Sequence, residues 1–220
     1  EENVAIRMQS KDGEIVDFDK NFVIDPKKGV ENYLNDLTKA MQSALQNDLF
    51  KANDTALQWE MDRPRDKWVS NYAAQTALTS SLIYWTEETE LAFQDIENGQ
   101  EDAMKNYQQK CTDRLQALIR LVQGKLSNAD RTKIITMITM DVHSRDVIAG
   151  LVNDKVESMD AFQWQKQLRY YWIPDSNEVD IRITDFFTKY SYEYVGNTGR
   201  LVITPLTDRC YITLTMALRL

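Results

Sequence analysis

With 220 residues, 43% of them apolar and 27% charged, and only seven glycines and four prolines, the chain has the composition of a folded globule able to bury its own core. No biased tract argues for disorder. A formal net charge of −8 argues against a general affinity for nucleic acid or anionic membrane, since both need clustered Lys and Arg.

Two short runs, VAIRM (Val4–Met8) and EIVDF (Glu14–Phe18), are joined by QSKDG, whose Asp12-Gly13 pair predicts a tight hairpin turn. After Asp25-Pro26, the residues Val30, Tyr33, Leu34, Leu37, Met41, Ala44 and Leu45 recur at helical spacing and predict a first amphipathic helix. Trp59 to Lys67 carries Pro64 and dense charge and reads as a loop. A second helical face follows through Trp68, Tyr72, Ala73, Gln75, Leu78, Leu82, Trp85 and Leu91, as far as Asn98-Gly99.

A third helix is expected from about Gln100 to Leu126, with Leu115, Leu118, Ile119, Val122 and Leu126 as its stripe. Ser127 or Asn128 caps a fourth, which buries Ile134, Ile135, Ile138, Val142, Val147, Ile148 and Leu151. Long helices joined by short turns must lie antiparallel to bury their stripes.

Beyond Ser158 the period changes. Phe162, Trp164 and Leu168 make a short helix that runs into YYWI (Tyr170–Ile173), and Pro174 to Asn177 turn the chain into VDIRI (Val179–Ile183). SYEYV (Ser191–Val195) and RLVIT (Arg200–Thr204) read as further strands. Thr207 is the expected cap of a final helix that begins near Asp208 and turns Cys210, Leu214 and Ala217 inward. The fold class is thus mainly α: an antiparallel helical bundle with a small N-terminal β-hairpin and a small C-terminal β region leading into a terminal helix.

Little in the chain carries chemistry. The sole histidine, His143, lies between Asp141 and Asp146 on the fourth helix, without the further ligands that a metal or a triad needs. Cys111 and Cys210 have no CxxC partner and read as core cysteines in a reducing compartment. The acids Glu87 and Glu88, and Glu97 to Asp102, read as a solvated face. Trp59, Trp68, Tyr72 and Trp85 read as core or interface aromatics. No GxxxxGK[ST], HExxH, GxSxG or GxGxxG occurs. No catalytic residue and no metal ligand is therefore assigned.

The beginning, EENVAIRMQSKDG, has neither an apolar signal core nor a starting Met, and the end, CYITLTMALRL, is an apolar run without a capping glycine. The expectation is an internal segment of a longer intracellular protein. One stretch, Tyr194–Tyr211, places a glycine turn, an apolar strand, a proline and a helix start in close succession. It could hold a planar apolar group against Leu201, Val202 and Pro205, with free backbone N–H groups at the helix start.

At that stretch the sequence resembles the dynein heavy chains, at the junction where the linker enters the first AAA+ module. The matching runs are YEYVGNTGRLVITPLTDRCYITLTMAL (Tyr192–Leu218), QLRYYW (Gln167–Trp172), VQGKLSNADRTK (Val122–Lys133), DVHSRDVI (Asp141–Ile148) and IYWTEETE (Ile83–Glu90). LRYYW and NTGRLVIT look more like axonemal than cytoplasmic heavy chains.

The resemblance implies a division into an N-terminal hairpin region (1–24), the helical bundle of the linker (25–169), a small β region (170–199) and the start of the first AAA+ module (200–220). It implies a mechanical role, the base of a lever that transmits nucleotide-dependent force in a microtubule-based motor. Leu201, Val202, Ile203, Thr204, Pro205 and Leu206 match the stretch that enters the adenine pocket of the first ATPase site. The Walker A loop would lie beyond Leu220, so no cofactor is expected in this segment alone, and ATP or ADP with magnesium in the intact parent. The implied partner is the remainder of the same heavy chain, above all the AAA+ ring. Other dynein subunits and microtubules would be met only through the intact parent, in the axoneme of a cilium or flagellum, and neither nucleic acid nor membrane is a partner. The alternative reading is a non-catalytic helical scaffold or protein-interaction domain.

Overall fold

The computed structural model describes residues 4–11, 13–23, 25, 29–56 and 65–219. Among them the chain is mainly helical and divides into two compact units. The first comprises residues up to Ser80 with Ser127–Lys133 and Ser191–Thr198, and the second Ser81–Leu126, Ile134–Tyr190 and Gly199–Leu220. Helices α3 (Ala74–Glu97) and α5 (Asn128–Asn153) contribute to both.

In the first unit the expected hairpin forms and is longer than its sequence signal. Strands β1 (Val4–Gln9) and β2 (Ile15–Val23) pair antiparallel with Met8 opposite Val16, both buried, and the register shifts between Ala5 and Arg7. Asp12 lies outside the described residues. Gly13 sits at φ +89°, a conformation that only glycine adopts without strain, and its N–H closes the turn on the Ser10 carbonyl.

Helix α1 (Val30–Ala56) packs on β2 and buries Ala44, Leu45, Leu49, Ala52 and Ala56, while Val30 and Leu34 of the expected stripe stay exposed. Residues 57–64, which hold Trp59, Pro64 and most of the expected loop, lie outside the described set. Arg65–Trp68 forms a single turn, α2, followed by a 3₁₀ turn over Val69–Asn71.

Trp68 therefore does not belong to the helix of Leu78 and Trp85, because Tyr72 between them is extended at φ −124°, ψ 160°. The fully buried Trp68 instead donates its indole N–H to Thr55 Oγ1 at 3.1 Å, and the same hydroxyl meets Tyr72 OH at 2.6 Å. Its core role stands, in a different element from the one expected. At the start of α3, Glu14 accepts from the Ala74 N–H at 2.7 Å, placing a carboxylate where the helix dipole favours one, and Lys133 Nζ donates to the Tyr72 carbonyl at 2.7 Å.

In the second unit, residues 98–102 fold α4 (Ala103–Val122) back so that it shares a core with α3. That core holds Trp85, Ala92, Phe93, Met104, Tyr107, Ile148, Leu151, Val156 and Trp164. Trp164, fully buried in the one-turn helix α6 (Phe162–Gln165), meets Trp85 edge-on at 5.2 Å and Phe93 at 6.1 Å. Such pairs add roughly 0.5–1.5 kcal/mol beyond area burial. Phe162 and Leu168, expected with Trp164 in one helix, are exposed.

Beside this core Glu88 pairs with Arg114 through both carboxylate oxygens, at 2.5 and 2.9 Å, and Lys110 lies 3.0 Å away. Burial alone would push the Glu88 carboxyl up, but these cations outweigh it and hold it below the usual range.

Ser127 caps α5 as expected, its Oγ accepting from the Asp130 N–H at 3.1 Å. Ile134, Ile148 and Leu151 are buried, whereas Ile135 is exposed.

The C-terminal sheet orders β3 (Arg169–Ile173), β4 (Glu178–Ile183) and β5 (Phe186–Lys189) as an antiparallel meander. Strand β5 was not anticipated. Thr184, before it, is held at φ +48° while its N–H donates to the Gln165 carbonyl at 2.7 Å.

The expected strands at 191–195 and 200–204 are irregular instead. Tyr192 at φ +53° and Gly196 at φ +65° cannot sit in a ladder. The backbone of 191–195, which belongs to the first unit, pairs with side-chain amides of that same unit. Gln75 donates to the Glu193 carbonyl at 2.7 Å and accepts from the Val195 N–H at 3.1 Å, and Gln42 donates to the Ser191 carbonyl at 3.0 Å.

A folded-state carboxyl held below its unfolded value contributes stability above that value and loses it as pH falls through the folded one. Glu88→Gln should therefore lower unfolding stability by about 1–3 kcal/mol at pH 7. In urea titrations the gap from the unsubstituted chain should close between about pH 5 and 3, bracketing the ordinary value of 4.5.

Candidate functional site

The terminal helix α7 spans Pro205–Arg219, beginning three residues earlier than its expected cap. Thr204 is the capping residue. Its Oγ1 accepts from the Thr207 N–H at 3.4 Å while Thr207 Oγ1 accepts from the Thr204 N–H at 2.8 Å, a reciprocal pairing in which Thr207 occupies the third helical position. Pro205 stands at the first helical position, where its missing N–H costs nothing.

The expectation of free N–H groups at this helix start is thereby narrowed. Pro205 has none, Thr207 donates to Thr204 Oγ1, and Asp208 donates to the Thr204 carbonyl at 3.0 Å. Cys210, Leu214 and Ala217 are also exposed, so the predicted inward face is not the one that packs. No residue of α7 is buried, and its partly covered positions are Thr207, Asp208, Ile212 and Thr215.

Of the six residues assigned to the adenine entry, Val202, Ile203, Thr204 and Pro205 line a cleft of about 440 Å³ in the second unit. Leu201 and Leu206 do not line it and are about 70% exposed. Facing the wall is one side of α5, through Thr139, Val142, His143, Asp146, Val147, Gly150 and Leu151, with Asp154 just past its end. Gln163, Lys166 and Gln167 close one end and Asp208 stands in the first turn of α7.

Positions 143, 146, 150 and 154 fall on one helical face. Gly150 leaves open space where a Cβ would project. That spacing was the available signal for Asp146 and Asp154, but Lys166, the two glutamines and Asp208 come from other elements and carry no local signature.

The cleft has a short apolar wall opposite three carboxylates, two amides and one lysine. Acceptors of this kind suit the exocyclic amine of a planar base, while the excess of carboxylates repels phosphate. Burial pushes the His143 imidazole below its ordinary value, outweighing the opposite pull of Asp208 and Asp146. At neutral pH it is uncharged.

Cys111, half-buried beside Tyr107, has its thiol pushed by burial to about 11 and stays protonated, which removes it as a nucleophile. Cys210 is exposed, so the core reading of both cysteines fails for this one.

The first unit has a hollow of about the same volume, walled by Glu14, Asp17, Asp48, Lys51 and Lys133 among others. There Glu14 and Lys133 are committed to the backbone at the start of α3. Among the described residues no group of three His, Cys, Asp or Glu side chains is placed to hold a metal ion, and no helix is long and apolar enough to cross a membrane.

Comparison with known proteins falls on this part of the chain and on the whole of it. A family described as the hydrolytic ATP binding site of the dynein motor region matches residues 190–220, which include the entire 201–206 wall and α7. The "Dynein beta chain, ciliary" of Tripneustes gratilla is 46% identical over 217 residues, 99% of this chain and 5% of that protein. "Dynein axonemal heavy chain 17" of Homo sapiens is 45% identical over the same share of each. The "Dynein beta chain, flagellar outer arm" of Chlamydomonas reinhardtii is 41% identical, again over 99% of this chain and 5% of its own length. The chain thus spans about one-twentieth of the length of the relatives it matches.

A histidine depressed on folding leaves stability complete above its unfolded value of 6.5 and loses it as pH falls through the lower folded one. Thermal unfolding should consequently drop more between about pH 7 and 5 for the unsubstituted chain than for His143→Gln. Equal slopes would mean that His143 is hydrated, not desolvated.

Proposed function

Since the chain belongs to the dynein heavy-chain family, on its axonemal branch, we propose that it is the C-terminal part of the linker running into the first AAA+ module. On this reading residues 1–24 and 25–169 are the hairpin and helical bundle of a lever base. Residues 170–199 are a small β region, and 200–220 begin the ATPase module. The segment works mechanically: close-packed cores such as that around Trp164 pass strain on with little deformation. It catalyses nothing itself.

The observation that carries the reading is the coincidence of Val202–Pro205 with both a cleft wall and the ATP-binding family match. Val202, Ile203 and Pro205 offer an apolar surface of the kind a purine stacks on, with Leu201 and Leu206 flanking them. The capped and acid-bearing start of α7 leaves the polyphosphate and its magnesium to parts of the module that follow. The exposed apolar residues of α7, Leu206, Leu214, Met216 and Leu218, fit a helix whose covering surface belongs to that same module. Cofactor, microtubule track and partner subunits belong to the intact motor, in the axoneme of a cilium or flagellum.

Calorimetric titration of magnesium-ADP tests this. The 220-residue chain should bind negligibly, and a chain extended through the first AAA+ module should bind. Pro205→Gly in the extended chain should weaken binding roughly tenfold, about 1.4 kcal/mol. A folded extended chain that binds no nucleotide, or binds it equally well as Pro205→Gly, would remove the adenine-wall assignment and favour the scaffold reading.

A further inference from the structure

We propose that Gln167 is the residue that selects an adenine base in the cleft, its side-chain oxygen accepting a hydrogen bond from the exocyclic amine. The inference rests on the proposed reading of the wall Val202–Pro205. Two observations carry it.

The Gln167 amide is fixed in one orientation. Its Nε2 donates to the Gln163 carbonyl, four residues back, at 3.1 Å, and its backbone N–H donates to the Trp164 carbonyl at 2.9 Å. A carbonyl accepts only from the amide nitrogen, so the group cannot be flipped and Oε1 is left for another partner. The residue is only 6% exposed and lines the same cleft as Val202, Ile203 and Pro205. Among the described residues nothing donates to that oxygen, and it is not one of the buried atoms shut off from solvent. It is an acceptor that is oriented, nearly buried and unused, and a ligand N–H would relieve the cost of leaving it so.

Gly150 lines this cleft from α5 and serves no purpose in the fold. Its φ lies outside the region that favours glycine, and no atom stands within 4 Å of where a Cβ would project. Glycine in a helix is less stable than alanine, and here neither backbone nor packing calls for it. The missing side chain leaves room for a flat ring.

The carboxylates of the cleft cannot make the selection. Asp146 is 60% exposed and already paired with Arg145 at 2.6 Å, and a carboxylate accepts from the amine of adenine and from the N–H groups of guanine alike. A neutral amide oxygen held in one direction discriminates by position. Where adenine presents its amine, guanine presents an oxygen, which would face Oε1 with no proton between them.

The test is steady-state kinetics of the full heavy chain carrying this segment, with ATP and with purine riboside triphosphate, which lacks only the exocyclic amine. The unsubstituted chain should prefer ATP. Gln167→Met, similar in shape but without the acceptor, should raise KM for ATP roughly 3- to 10-fold, the worth of one neutral hydrogen bond, and leave KM for the analogue within about twofold. Gly150→Leu, which fills the open space, should raise KM for both substrates alike.

Equal KM values for ATP and the analogue in the unsubstituted chain would overturn the selection without recourse to any variant. A rise for both substrates in Gln167→Met would overturn it too, since loss of the Gln163 bond alone would then have distorted the cleft. So would an unchanged KM for ATP in Gln167→Met, or for both substrates in Gly150→Leu, while Pro205→Gly raises it, and the wall would stand. A silent Pro205→Gly would overturn the wall itself and the role of Gln167 with it.

Discussion

The second unit depends on one carboxylate oxygen. Glu90 Oε1, on α3, accepts from the Trp164 indole N–H at 3.3 Å and from the Tyr171 hydroxyl at 2.6 Å. Trp164 belongs to the core and Tyr171 is half-buried, and a buried donor left without an acceptor costs about 1–3 kcal/mol. By serving both, Glu90 fixes α6 and β3 against the same turn of α3. The Tyr170 N–H, donating to Thr86 Oγ1 at 3.1 Å, sets the strand one turn earlier. Strands β4 and β5 then follow by antiparallel pairing, and the point at which the chain leaves the sheet at Lys189 is settled before the wall Val202–Pro205 is reached.

Three buried threonines of helix α3 satisfy their own hydroxyls within the helix. Thr79, Thr86 and Thr89 each donate back to the carbonyl four residues earlier, at 2.6–2.9 Å. The small side chains Ala74, Ala77, Ser80 and Ser81 on the same helix are buried as well. Gln75 does something different at the start of the same helix. Its amide presents a donor and an acceptor in the geometry of a peptide group and takes the place of a neighbouring strand for residues 193–195. Gly196 completes that arrangement, since a Cβ there would come within 3.0 Å of Ser10 Cβ.

This substitution explains where the sequence was readable and where it was not. The helical periods of α1, α3, α4 and α5, the Ser127 cap and the hairpin arise from neighbours within a few residues, and these were legible. SYEYV and RLVIT have β-strand composition, but composition reports only a preference for a pleated, half-buried surface. An amide from Gln75, over a hundred residues away, satisfied the backbone first. The terminal helix misled for the opposite reason. Its apolar run predicts burial, yet those side chains are exposed, and the residues that pack are Thr207, Asp208 and Ile212. Of the cleft, an apolar run before a proline was legible at 202–205, although it forms no strand, and so were His143 and Asp146 as a pair on one helix. That they face each other depends on the fold back from α5 through the sheet, which no local pattern encodes.

Charge decides what such a cleft is for. A helix start is ordinarily an invitation to an anion, because unpaired N–H groups and the dipole both favour negative charge there. The start of α7 withdraws the invitation: proline removes one donor, Thr204 consumes others, and Asp208 supplies the negative charge from within. With Asp146 and Asp154 opposite, the potential inside the cleft is negative, and Lys166 offsets only part of it. If the wall is the adenine entry proposed for it, a nucleotide approaching this surface would be oriented base inward and phosphates outward before any phosphate-binding loop acts on it. The wall needs no affinity for the whole ligand to impose that direction. It needs only an apolar face on one side and acids on the other, which Val202, Ile203 and Pro205 and the aspartates at 146, 154 and 208 provide.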